Sequence, residues 1–501
     1  MKSLPSLAFL LALAPAGTAI AADAQQPSTL DIAIRPVGTG GIDRLEIREI
    51  FHDGDADGLQ LSFPIVYPGA PGAADRLTGL RLEDADGALP FAVKDDAALP
   101  GGFPYFRHFT ASRAINYPLT VSYAIDTVGG GGPNGPAFAM RRVGGGVAGS
   151  GATFLLLPDK PVKGTISVQW DLSALPAGSI ASSSYGDGDY RFTADSDALT
   201  QSWFLIGPAG HLPMKDGFGA AWLGKPTFDV QAEMIRTRGV YHYLGGFFPH
   251  LKPTPDYRVY LQFRSEAPFG GGTALDRSFM LSQSDKAEND TERRMETIFH
   301  EMIHQWVGFI EGPQGVTSWF SEGLTSYYTS KLTVRSGLFG MDFFERAINR
   351  LEQEYRTSKA RNWSADKIVE VGFGDEEVRH TPYRRSELYF DDLDARIRAK
   401  SGGKRSLDTL MFRIFKEREQ GVPFTQAKWI EEITRELGPQ EAERFQRLII
   451  EGVDTLEPRP DTYGPCFRAE KTVFDHGGQP VPGLRWVRVP GKSDAYCKGR
   501  I

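Results

Sequence analysis

The run Thr291-Glu292-Arg293-Arg294-Met295-Glu296-Thr297-Ile298-Phe299-His300-Glu301-Met302-Ile303-His304-Gln305-Trp306-Val307 decides how the chain is read. Asn289-Asp290-Thr291-Glu292, which overlaps its start, has the form of a capping box, Asn at the cap and Glu three residues later. Met295, Ile298, Phe299, Met302, Ile303 and Trp306 then recur at helical spacing as one apolar side. His300 and His304 are one turn apart, so their imidazoles leave the same face and can grip a single ion. Glu301 stands beside the first of them and can reach the ion's water without becoming a ligand. This is the mechanical content of a His-Glu-x-x-His pattern on a helix.

A third ligand is expected nearby. Glu322 follows His304 by 18 positions, inside Trp319-Phe320-Ser321-Glu322-Gly323. Its apolar neighbours, with Ser318 as a cap, predict a second helix after the loop Glu311 to Val316. A tight return would point Glu322 back at the histidines. Two imidazoles and a carboxylate with a fourth position open to water favour one Zn²⁺ per chain.

Outward from this centre the chain divides. From about Leu30 to Pro208 short runs alternate apolar and polar residues, as in Leu45-Glu46-Ile47-Arg48-Glu49-Ile50 and Thr165-Ile166-Ser167-Val168-Gln169-Trp170. Period two marks half-buried strands, and many in succession predict a β-sandwich. Gly129 to Gly151 lacks a Gly-Lys-Ser/Thr ending and reads as a long mobile loop. Helical periodicity takes over after Met214. It appears around Met234 and over Met295–Val307, Phe320–Leu332, Phe343–Tyr355, Glu387–Arg398 and Leu407–Lys416, with a last block through Lys428–Ile450. The expected units are a signal segment at 1–21, a β-sandwich at 22–210, a metal-bearing domain at 211–400, and a helical domain with a tail at 401–501.

The ends carry their own signals. Lys2, the short apolar run Leu7 to Ala14 and Ala19-Ile20-Ala21 form a secretory leader with a small-residue cleavage site, which predicts export to the periplasm or beyond. That run is too short to cross a bilayer, and no later one is long enough. Cys466 and Cys497 are the only cysteines, and an even pair in an oxidising compartment favours a disulfide. With 56 basic and 63 acidic residues, a net charge of -7 offers no nucleic-acid footprint. Asp53-Gly54-Asp55-Ala56-Asp57-Gly58 starts like a calcium loop, but Pro64 occupies the place of its bidentate Glu; a solvated hairpin turn is expected instead. No Gly-x-Ser-x-Gly nucleophile motif occurs.

His300-Glu301-Met302-Ile303-His304-Gln305-Trp306-Val307-Gly308 resembles the zinc helix of the aminopeptidase-N family of gluzincin metallopeptidases. Trp319-Phe320-Ser321-Glu322-Gly323-Leu324-Thr325-Ser326-Tyr327-Tyr328 is most similar to the glycyl aminopeptidase family of that clan, as are Leu61 to Gly69 and Phe269-Gly270-Gly271-Gly272. The resemblance implies a β-sandwich, a thermolysin-like α+β catalytic domain and a C-terminal helical domain. It also implies peptide substrates, Glu301 as general base, and Tyr383 as a hydroxyl donor to the oxyanion, with His380 read as structural. Where members carry Gly-Gly-Leu-Glu-His-Arg to hold the substrate's amine, this chain has Gly271-Gly272-Thr273-Ala274-Leu275-Asp276-Arg277. Gly271, Gly272 and Asp276 are thus the candidate substrate contacts. Three readings stay open: an aminopeptidase for small N-terminal residues, an endopeptidase of the same mechanism, and a zinc-binding interaction protein without activity.

Overall fold

The computed structural model describes residues 27–501 except 56–58, 68–69, 100–103, 130–137, 250–252, 267–268, 270, 287–290, 314 and 373. The leader, the Asn289-Asp290 cap, Gly270 and residues 56–58 of the Asp53–Gly58 stretch therefore lie outside the described residues.

The alternating runs become strands for the reason the alternation suggests. In Leu30–Val37 and Arg44–Phe51 every second side chain is buried, and the two pair in register from Leu30↔Phe51 to Val37↔Arg44. They sit inside a seven-stranded sheet, between Lys163–Trp170 on one side and Leu119–Asp126 on the other. A second sheet, built on Gln60–Tyr67 and Tyr105–Ala111, faces it. Leu30, Ile32, Leu45 and Val121 meet Leu61, Phe63 and Phe109 in one core between them. Arg44–Phe51 and Gln60–Tyr67, the strands on either side of Asp53–Gly58, belong to different sheets and do not pair with each other, so they are not the two arms of the expected hairpin.

The Gly129–Gly151 stretch also departs from expectation. Its described part is not one loop: Arg141–Val143 and Gly146–Ser150 form a hairpin that pairs with Trp203–Gly207. The glycines there serve close packing. A Cβ on Gly146 would lie 2.5 Å from the Ile206 carbonyl oxygen, and one on Gly149 2.6 Å from that of Ala139. This third sheet packs through Ala148, Trp203 and Leu205 onto Ala221, Tyr260 and Met280 of the sheet that follows.

That next sheet has the order Gly210–Lys215, Phe218–Leu223, Tyr257–Arg264, Ser278–Ser284, Gly272–Leu275, with the last strand antiparallel at the edge. Its other face carries helices α1 (Val230–Phe247) and α2 (Thr291–Val307), joined by the buried ion pair of Arg294 with Glu233. The helical region continues with α3 (Ser318–Arg335), α4 (Met341–Thr357), α5 (Ala365–Gly372), α6 (Glu376–Arg379), α7 (Thr381–Lys400), α8 (Leu407–Glu419), α9 (Gln426–Leu437) and α10 (Pro439–Phe445). The expected block Lys428–Ile450 is interrupted because Gly438 takes φ +102° and Pro439 has no N–H to continue α9. Thr317, not Ser318, holds the cap position of α3.

One apolar core runs from the sheet through α2, α3 and α7 to Trp429 and Phe445, so the later helices buttress α2 and α3 directly. The tail forms a long hairpin, Phe467–His476 with Gln479–Arg488, closed near its base by the disulfide Cys466–Cys497. Asn349 of α4 exchanges two 2.8 Å hydrogen bonds with the backbone of Trp486 and so docks it. The protein is thus multidomain, β-rich first and helical last, and no described helix is long and apolar enough to cross a membrane.

Candidate metal centre

α2 buries Met295, Ile298, Phe299, Met302 and Ile303 against the sheet and leaves its histidines half-buried on the opposite side. His300 Nε2 lies 3.2 Å and His304 Nε2 3.4 Å from Glu322 Oε2, with the imidazoles nearly perpendicular at 83°. Among the described residues these three are the one group of His, Cys, Asp or Glu side chains whose donor atoms all lie within 4.8 Å of each other. Tetrahedral zinc with bonds near 2 Å sets its ligand atoms about 3.3 Å apart, so the observed separations fit that ion.

The surroundings prepare the donors. The Thr325 hydroxyl donates to the Ser321 carbonyl and stands 3.4 Å from His304 Nδ1. It can accept the Nδ1 proton, which leaves the Nε2 lone pair facing the site. Burial alone would raise the Glu322 carboxyl, yet His304 and His300 hold it well below the usual carboxylate range. Burial would lower His304, but the charge and hydrogen bond of Glu322 raise it. Glu322 is therefore an anion, as a ligand must be.

Glu301 projects from the same helix without joining the ligand group. It is 7% exposed and rests against the edge strand, where the Ala274 N–H donates to its carboxylate. Burial raises its pKa; His300 and His304 pull it back, and Glu322 pushes it up again. A Cβ on Gly272 would stand 2.4 Å from Glu301 Cγ, so only glycine lets the edge strand come this close.

Tyr383, in the first turn of α7, stacks on His300 with ring centroids 5.7 Å apart at 19°. Its hydroxyl stays protonated far into the alkaline range, through burial and the nearby charges of Glu322 and Glu301. His380 packs edge-on against the same ring, and burial lowers its pKa. The structure thus brings His300, Glu301, His304, Glu322 and Tyr383 together, with Gly272 alongside.

Asp276 and Gly271 are placed otherwise. Asp276 sits with Arg277 in the turn after the edge strand, its side chain 45% exposed. Its carboxylate accepts a 2.6 Å hydrogen bond from the Tyr185 hydroxyl and lies 3.8 Å from Arg277. Gly271, at φ +74°, supplies the left-handed step into the edge strand. Sequence reasoning missed Thr325, although its place three residues after Glu322 puts it on the same helical face. It also missed the Ala274 N–H, for which a sequence carries no signal.

Residues 293–371, which include His300, His304 and Glu322, match the model of the M61 glycyl aminopeptidase family. No protein of curated function matches the chain. Solved structures share its fold. An aminopeptidase N family protein from Idiomarina loihiensis is similar with TM-score 0.66 and 16% identity, over 89% of this chain and 79% of that one. A mutant M1 zinc metallopeptidase from Deinococcus radiodurans with a Tyr-Ser-Ala substrate gives 0.54 and 15%, over 86% and 96%. Yeast LTA4 hydrolase gives 0.53 and 14%, over 86% and 69%. The reading as a zinc-dependent metallopeptidase, a hydrolase similar to the glycyl aminopeptidases of the gluzincins, therefore stands.

Proposed function

We propose that this protein is an exported peptidase that hydrolyses peptide bonds with Glu301 as general base, in a catalytic domain of the thermolysin-like type. The observation that carries this reading is Glu301 itself: buried against the edge strand, on the ligand helix, and outside the ligand group. A purely structural zinc site has no use for such a residue. Zinc held by His300, His304 and Glu322 supplies Lewis acidity that polarises a carbonyl and acidifies water. Glu301 takes the proton from the attacking water and passes it to the leaving amine. The Tyr383 hydroxyl donates to the oxyanion as it develops. Thr325 keeps His304 in the tautomer that leaves Nε2 free.

An aminopeptidase acting on small N-terminal residues such as Gly or Ala is the form favoured by the family match. A second form, an endopeptidase, is favoured by Asp276, whose carboxylate is already engaged by Tyr185 and Arg277. A buried substrate ammonium needs its own carboxylate partner. Peptides with free and with blocked N-termini decide between the two. Loss of cleavage on blocking, together with a selective loss in Asp276→Asn for free peptides, supports the aminopeptidase. Equal cleavage of both kinds makes it an endopeptidase. Glu301→Gln should bind zinc normally and lose nearly all turnover; undiminished turnover in that variant refutes the mechanism, and no cleavage by the wild type returns the protein to a zinc-binding interaction role.

A further inference from the structure

We propose that Phe309 is a specificity-determining side chain, an apolar shelf for a large apolar residue next to the scissile bond on the His304 side of the metal. The proposal rests on the peptidase reading above. Phe309 is 72% exposed, more than any other large apolar side chain among the described residues. Its ring lies nearly parallel to that of His304, at 10° with centroids 6.5 Å apart, just as Tyr383 parallels His300. The two aromatic rings thus flank the metal group through different ligands.

The shelf is held rigidly. α2 ends at Val307, and Gly308 turns the chain at φ +57°. Arg418 of α8 donates to the Val307 carbonyl and, at 2.8 Å, to that of Phe309. A Cβ on Gly308 would stand 3.1 Å from the same guanidinium. Ile310 is buried next door, and the Glu311 N–H donates to the Phe424 carbonyl at 3.1 Å. Backbone on both sides of Phe309 is therefore pinned while its ring faces water. A solvated aromatic ring on a pinned backbone beside the candidate metal group has its apolar surface ready for a ligand to cover, and little backbone ordering is needed on binding.

The test uses the full-length protein and peptides carrying Gly, Leu or Phe at each position next to the cleaved bond. Wild type should favour Leu or Phe over Gly at one of those positions. Phe309→Ala should reduce that preference in kcat/KM about tenfold, Phe309→Leu should keep most of it, and zinc content should not change in either. An undiminished preference in Phe309→Ala overturns the proposal. So does an equal loss for all peptides, which marks a structural role. Binding is measured in parallel in the Glu301→Gln background, where peptides with Leu or Phe should bind about tenfold more tightly than those with Gly, and only when Phe309 is present. Equal binding overturns the shelf, whereas a wild type that binds selectively yet cleaves nothing overturns only the peptidase reading.

Discussion

A methyl group placed on Gly323 would lie 2.2 Å from the Cβ of Ser386, so α3 and α7 meet backbone against side chain at the level of the metal group. Gly323 follows the candidate ligand Glu322, and Ser386 comes three residues after Tyr383. The Lys331–Asp391 ion pair, buried at 3.1 Å, holds the same two helices further along. Together these contacts set how closely Tyr383 approaches Glu322.

Gly323→Ala tests that spacing. On an exposed helix face the substitution would stabilise by about 1 kcal/mol through propensity. Here overpacking wins, and a cost of roughly 1–3 kcal/mol is expected. Thermal unfolding should shift down, and kcat should fall because Tyr383 is displaced. A variant with wild-type melting and turnover would show that the helices have room to spare.

His304→Ala should reduce zinc from about one ion per chain to a small fraction. Thr325→Val, which removes only the hydroxyl facing Nδ1, should weaken zinc about 10- to 100-fold while leaving the fold intact. Competition with a chelator of known affinity reads both. Full zinc retention by His304→Ala would remove the residue from the ligand set.

Tyr383→Phe keeps the ring that stacks on His300 and deletes the donor. Turnover should drop about 10²- to 10³-fold with little change in KM and normal zinc content. A change confined to KM would make the hydroxyl a ground-state contact instead.

Stability should depend on pH through the N-terminal β-region. Glu49 is fully buried, and burial raises its carboxyl from 4.5 to about 8, partly countered by hydrogen bonds from Tyr123 and the Leu156 N–H. The fold keeps a proton that the unfolded chain releases. The stabilising contribution is therefore complete below 4.5 and is lost as pH rises towards about 8, with a slope of up to about 1.4 kcal/mol per pH unit. Glu49→Gln should flatten this part of the curve, read from unfolding midpoints at about pH 5 and about pH 8. Parallel curves for the two proteins would mean that Glu49 stays ionised in the fold.

What the sequence determined by itself is what depends on neighbours along the chain. Helical repeat places His300 and His304 on one face with Glu301 beside them, and period-two alternation writes the strands of the first sheets, because both follow from backbone geometry alone. The glycines between Gly129 and Gly151 misled for the same reason: locally they look like a loop, and only the carbonyls of Ile206 and Ala139 above them show why no side chain fits. The approach of Glu322, the stacking of Tyr383 on His300, the Ala274 N–H on Glu301 and the engagement of Asp276 by Tyr185 join residues from separate elements. Tertiary structure alone decided these, because close packing of distant elements fixes which polar groups meet and no local periodicity records it.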